Sequence, residues 1–243
     1  MAEPDAGGLG AGPGRGLKRA LLSWSSGKDS AWALHMLRGQ GWQIAGLLTT
    51  FNGAVNRVAM HAVRRALVDA QAEAAGLPLR AIPLPSPCSN AQYEALMAEA
   101  CRAAAAEGIE AIAFGDLYLR DIRAYRERAL AGSTLEPLFP LWELPTGELA
   151  REMMRGGLRA RITCVDRKAL DASFAGREFD AALLADLPRH VDPCGENGES
   201  HTFAYDGPMF GRAIPVAAGE LHEADGFVFA DLLPAETGAQ CLG

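Results

Sequence analysis

Two hydrophobic periods alternate along the first half of the chain. Residues 17–24 form an apolar run ending at Trp24, and residues 30–38 follow as an amphipathic stretch closed by Gly39 and Gly41, which predicts a strand and then a helix. Residues 43–50 repeat the strand pattern. A helix is expected over 58–75, because Val63, Leu67, Ala70 and Ala74 share one helical face, and Gly76 ends it. Residues 79–84 read as a short strand, the Pro-rich stretch 83–87 as a connection, and Ser89 or Asn90 as the cap of another helix. Residues 109–114 give a strand that stops at Gly115-Asp116, ahead of a helix over 122–130. Such alternation predicts a Rossmann-like α/β fold: a parallel sheet with helices on both faces and its binding site at the C-terminal strand ends. The loop 25–30 and the pair Gly115-Asp116 both fall at such ends.

The pattern changes after Gly132. Pro137, Pro140 and Pro145 mark a connection, and Thr146 is placed to cap a helix running to 155. Residues 158–165 alternate as a strand, 179–187 read as helical, and short β segments are expected at 201–205, 213–216 and 227–232. The expected organisation is a disordered leader at 1–16, a nucleotide-type domain at 17–132 and a smaller mixed α/β domain at 133–243.

Composition narrows the function classes. A net charge of −7 argues against nonspecific nucleic-acid binding. The five cysteines (Cys88, Cys101, Cys164, Cys194, Cys241) are scattered without a paired spacing, which suits reduced thiols in a cytoplasm rather than a disulfide framework or structural zinc. The Gly, Ala and Pro of residues 1–16 lack the apolar core of a signal peptide. No run reaches the roughly 20 apolar residues of a membrane helix.

The most informative chemistry lies in Ser25-Ser26-Gly27-Lys28-Asp29-Ser30. A small-residue turn between a strand and a helix presents backbone N–H groups at a helix N-terminus, where the macrodipole favours an anion such as phosphate. Lys28 adds positive charge in a chain whose lysines are otherwise Lys18 and Lys168. Asp29 beside phosphates implies a bridging Mg²⁺. The common P-loop is excluded, because Leu22 stands where its first Gly belongs and Asp29 where it needs Ser or Thr. The second cluster, residues 194–203, projects Glu196, Asn197, Glu199, Ser200, His201 and Thr202 from a turn made tight by Gly195 and Gly198. Such a set can orient a charged substrate or relay a proton.

The first loop resembles the S-G-G-x-D-S loop of ATP pyrophosphatases. Together with 114–116, 123–127, Pro140-Leu141-Trp142 and 195–203, in that order, it resembles the diphthine–ammonia ligase family of those enzymes over about residues 18–216. The resemblance implies a Rossmann-like (HUP-type) ATP domain facing a substrate domain across a cleft. It also implies an activity: ATP converts a carboxylate to an acyl-adenylate, and ammonia displaces AMP to give an amide. Ser25, Ser26, Gly27, Lys28, Asp29 and Ser30 would then bind ATP phosphates, with Asp29 on Mg²⁺ and Lys28 on the leaving pyrophosphate. Thr49, His61, Gly115 and Asp116 would complete the nucleotide site. Arg123, Arg126, Glu196, Asn197, Glu199, His201 and Thr202 would bind substrate, and Lys28, Asp29, Glu199 and His201 would be catalytic.

The chain departs from the family at Ser26, where a second Gly is usual, and at Ser200, where an aromatic residue is usual. Its Arg-over-Lys, Ala-rich composition suits a GC-rich genome and leaves open an acid other than diphthine, a modified histidine of elongation factor 2. The acid is small or protein-borne, no nucleic-acid or membrane partner is expected, and a homodimer is possible. The competing readings are a non-catalytic ATP or AMP sensor, an RNA-thiolating pyrophosphatase, and a transition-metal site at His190, Asp192, Cys194, Glu196, Glu199 and His201.

Overall fold

The computed structural model describes residues 17–53, 57–58 and 63–235. The expected leader, His61 and Cys241 lie outside the described residues.

The first sheet contains β1 (Arg19–Ser23), β2 (Gln43–Asn52), β3 (Arg57–Val58), β4 (Leu79–Leu84), β5 (Ala111–Ala113) and β6 (Glu136–Leu138). Its parallel strands run β4-β2-β1-β5-β6, so the chain reverses direction across the sheet between β1 and β5. A crevice opens at that reversal, outside the carboxyl ends of the strands. Period-2 alternation sorts β1 between two cores. Ala20 and Leu22 pack with α1 (Lys28–Gly39), α2 (Arg65–Ala75) and α5 (Thr146–Arg155), while Leu21 packs with α3 (Asn90–Ala106) and α4 (Arg120–Leu130).

The second sheet is antiparallel, in the order β8 (Ser200–Asp206), β7 (Arg159–Asp166), β10 (Phe227–Pro234), β9 (Val216–Ala224). Phe203 and Ala204 of β8 and Ala160 and Ile162 of β7 join the same buried cluster as α1 and α2, so β8 lies directly against the first sheet's helices.

Five expectations change. α1 begins at Lys28, two residues early, which places Lys28 and Asp29 in its first turn. The helix expected from 58 starts at Arg65, because β3 turns back to pair antiparallel with Phe51 and Asn52. The Pro-rich connection contains β6, which tolerates Pro137 because it is the edge strand beside β5. Pro145, not Thr146, is the N-cap of α5, and the Thr146 hydroxyl donates to Asp192 Oδ2 at 2.6 Å. The helix read over 179–187 is α6 (Ala181–Asp186), capped by Asp180, whose side chain accepts from Leu183 N.

Candidate active site

The loop between β1 and α1 is held from behind by one buried amide. Gln71 of α2 donates to the carbonyls of Ser26 (2.9 Å) and Ala204 (2.6 Å) and accepts from Trp24 Nε1 (2.9 Å). Ala204 N also donates to Ser26 O. Ser26 itself has φ +70°, so this position does require the left-handed region in which the family uses Gly. Its hydroxyl is buried without a hydrogen-bond partner, as are Asp29 Oδ1 and Thr49 Oγ1.

Gly27 offers α1 no side-chain cap. Instead Thr202 of β8 reaches across: its Oγ1 accepts from Lys28 N at 3.0 Å, and a Cβ on Gly27 would lie 3.2 Å from Thr202 O. Gly115 is needed for a related reason. A Cβ there would fall 3.0 Å from Asp29 C and Ser30 N, so the end of β5 sits against the backbone of α1's first turn. Gly115 also lines the cleft described below.

Lys28 is pinned. Its Nζ donates to Asp29 Oδ2 at 2.8 Å and to the carbonyl of Cys194, which ties the phosphate-type loop to residues 194–202. Burial opposes the Lys28 charge, but the hydrogen bond and field of Asp29 together with the fields of Cys194 and Glu196 prevail, and the ammonium is raised above its ordinary value. Burial pushes the Asp29 carboxyl up against the pull of Lys28.

The 192–199 turn is built on two carboxylates. Asp192 Oδ1 accepts from Cys194 N (2.8 Å) and Glu196 N (3.3 Å). Glu199 accepts from Asp192 N, Asn197 N and Asn197 Nδ2. Glu199 and Asn197, expected at the substrate, are thus folded into the turn itself. Asp192 entered the sequence reading only as a member of the competing transition-metal set, and its position before Pro193 was the signal for a turn role. Gln71 was missed, although a polar residue four positions after Leu67, on the apolar face of α2, marks it.

Ser25, Lys28, Asp29, Ser30, Gly115, Asp116, Arg126, Glu196, Ser200, His201 and Thr202 come together around a cleft of about 220 Å³ at the β1/β5 reversal. Ser200, the family departure, faces this cleft, and its backbone and hydroxyl would meet a Cβ on Gly195 at 2.8 Å. A neighbouring trough of about 260 Å³ is lined by Trp24, Leu48, Thr49, Thr50 and Val58. Arg123 lies elsewhere. It pairs with Glu127 at 2.8 Å and stacks over Phe139 and Trp142, each at 4.7 Å.

The cleft is electrostatically unusual. Glu196 accepts from Leu117 N at 2.7 Å, yet burial, with Asp29 and Asp116 nearby, lifts its carboxyl to about 7. Burial also raises Asp116 despite Arg126 Nε at 3.4 Å. Burial and Lys28 depress His201 to about 4, which leaves it neutral at pH 7. The Cys194 thiol is pushed to about 12 by burial, so it is no nucleophile.

Among the described residues no group of three or more His, Cys, Asp or Glu is gathered to hold a metal ion. Two members of the imagined transition-metal set, Asp192 and Glu199, are turned onto loop amides. Mg²⁺ has different needs, since it keeps several waters and takes one or two carboxylates plus phosphate oxygens. The buried, unpartnered Asp29 Oδ1 fits such an ion.

Two family models match the chain: the diphthamide synthase N-terminal domain over residues 18–135 and the diphthamide synthase C-terminal domain over residues 145–231. The diphthine–ammonia ligase of Homo sapiens is 30% identical over 229 residues, covering 84% of this chain and 85% of the relative. That of Bos taurus is 29% identical over 228 residues with the same coverage. A crystal structure of a predicted tRNA methyltransferase subunit from Methanocaldococcus jannaschii spans 79% of this chain and 98% of its own at 14% identity, with a TM-score of 0.42, a likeness too slight to argue from. Among the described residues, no helix is long and apolar enough to cross a membrane.

Proposed function

The chain belongs to the diphthine–ammonia ligase family, and from that premise we propose that it is an AMP-forming ligase that joins ammonia to a carboxylate at the expense of ATP. One observation carries this reading: the loop 25–30 and residues 194–202 meet in a single cleft, through Lys28 Nζ on the Cys194 carbonyl and Lys28 N on Thr202 Oγ1.

In this reading the β and γ phosphates lie at the N-terminus of α1, where Ser25, Ser30 and first-turn amides receive them. The adenosine lies in the trough beside Thr49 and Thr50. The substrate carboxylate oxygen attacks the α-phosphorus, and the bond to the bridging oxygen breaks as pyrophosphate leaves. Ammonia nitrogen then attacks the acyl carbon, AMP departs, and the nitrogen loses a proton. Glu196, which titrates near 7 at the cleft wall, is the group suited to take that proton. His201, neutral and facing the cleft, positions the acyl group by hydrogen bonding. Lys28 acts mainly by holding the two loops in register. Asp29 would hold Mg²⁺, which when bound neutralises phosphate charge.

The test is product analysis with Mg·ATP, ammonium and a small-metabolite extract or acid panel. AMP and pyrophosphate should form only with a suitable acid, and Lys28→Ala should lower kcat/KM by about 100-fold. ADP as the product would overturn the reading.

A further inference from the structure

A third hollow, larger than the other two at about 440 Å³, lies between α3, α4 and the face of the first sheet. Its floor is apolar: Leu48, Ile112, Phe114 and Leu130 are buried, and Met97 packs against them. The packing explains why it exists. Within the seventeen residues of α3 only Cys101 and Ala104 are buried, so this helix meets the sheet through small side chains and leaves volume unfilled.

The position of this hollow matters more than its size. Ser23, at the end of β1, and Arg126, on α4, line all three hollows. The cleft and the trough share Ser23, Ser25 and Arg126, so a nucleotide with phosphates in the cleft and adenosine in the trough crosses from one to the other there, with the α-phosphate as the group between them. The apolar chamber opens at the same point. Arg126 contacts Asp116 through Nε at a loose 3.4 Å and stacks on Phe114 at 5.0 Å, so a cationic fork stands where an apolar wall meets the phosphate cleft. At its exposed side the chamber carries Glu94 and Arg128.

We propose that this chamber is the acyl pocket: it takes the apolar body of a free small monocarboxylic acid, such as an aryl- or branched-alkanoate, whose carboxylate is held by Arg126 at the α-phosphate position. Its volume falls within the roughly 300–1,000 Å³ of small-molecule pockets. The proposal rests on the ligase reading for the location of the α-phosphate, but its test does not need turnover.

The experiment measures binding of 3-phenylpropanoate and of its uncharged counterpart 3-phenylpropanol to the full chain by calorimetry. It is run with and without an ATP analogue carrying a methylene between the α and β phosphorus atoms. The acid should bind saturably, with a Kd below about 1 mM, and about tenfold tighter than the alcohol. Ala98→Phe, which fills the chamber from α3, should weaken both ligands at least tenfold while analogue binding stays within twofold. Ala129→Trp, at an exposed position on α4, should do the same if Ala98→Phe fails to fold. Arg126→Gln should erase the preference for acid over alcohol.

Absence of saturable binding in both conditions would overturn the proposal, as would binding indifferent to both chamber-filling variants. Competition between acid and analogue would also overturn it, marking the chamber as the seat of adenine. Failure of the ligase reading would register separately, as ADP in the turnover assay.

Discussion

At Ser26 the backbone pays a strain that its side chain does not offset. A non-glycine residue in the left-handed region costs about 1 kcal/mol, and its hydroxyl is buried without a partner. Ser26→Gly should therefore stabilise the ligand-free protein by about 1 kcal/mol, a gain visible as a higher urea midpoint with an unchanged slope. Glu196 gives a pH signature. Its folded-state value of about 7 lies above its ordinary 4.5, so the protonated form favours the fold below pH 4.5 and that contribution disappears as the pH rises through 7. Relative to Glu196→Gln, the native protein should lose roughly 1–2 kcal/mol between pH 5 and 7.5, the full linkage being reduced by partial exposure. Denaturant titrations of both proteins across that range would show a flat difference if the carboxyl is unperturbed.

The elements act through a few buried cross-links. α2 carries Gln71, whose amide joins the loop after β1 to β8, and no local pattern in α2 would replace it. Gln71→Leu leaves Trp24 Nε1 and Ala204 O buried and unpaired, while Ser26 O keeps its bond from Ala204 N. The expected cost is roughly 2–4 kcal/mol. The same variant should raise the KM for ATP, because the turn between β1 and α1 loses its rear support. A stability loss under 1 kcal/mol in urea melts would mean the amide is not the clamp its geometry describes.

Across the whole molecule the links between the two sheets include the Lys28–Cys194 and Lys28–Thr202 bonds at the cleft and an ion-pair triad between β10, β3 and the start of α2. Asp231 of β10 accepts from Arg57 of β3 at 2.9 Å and from Arg64 ahead of α2. Burial opposes the Asp231 charge, but the hydrogen bonds from Arg64 and Arg57 prevail and hold its carboxyl at about 2. That stabilisation is complete above about pH 4 and is lost as the pH falls through 2. Asp231→Asn should cost about 1–2 kcal/mol at pH 7 and progressively less below pH 4, measured by thermal or denaturant unfolding at each pH. A constant difference between pH 7 and pH 2.5 would mean that packing, not charge, does the joining.

The sequence alone determined the parallel α/β class, the strand-end position of residues 25–30 and of Gly115-Asp116, and the chemical character of residues 194–202. Each is written in a short window, as a hydrophobic period or as a density of functional side chains. Tertiary structure decided the rest. Edge strands such as β6 and the exposed β9 have no buried face to impose alternation, so residues 136–138 read as a connection and all but the first residue of β9 passed unnoticed. Whether a carboxylate faces a ligand or its own loop is equally invisible locally: Glu196 reaches the cleft, while Glu199, three residues on, is folded into the turn. Lys28 meets Cys194 and Thr202 across separations of 166 and 174 residues, contacts that exist only because β8 packs on α1. Local periodicity records what each segment buries; it carries no record of what that segment is buried against.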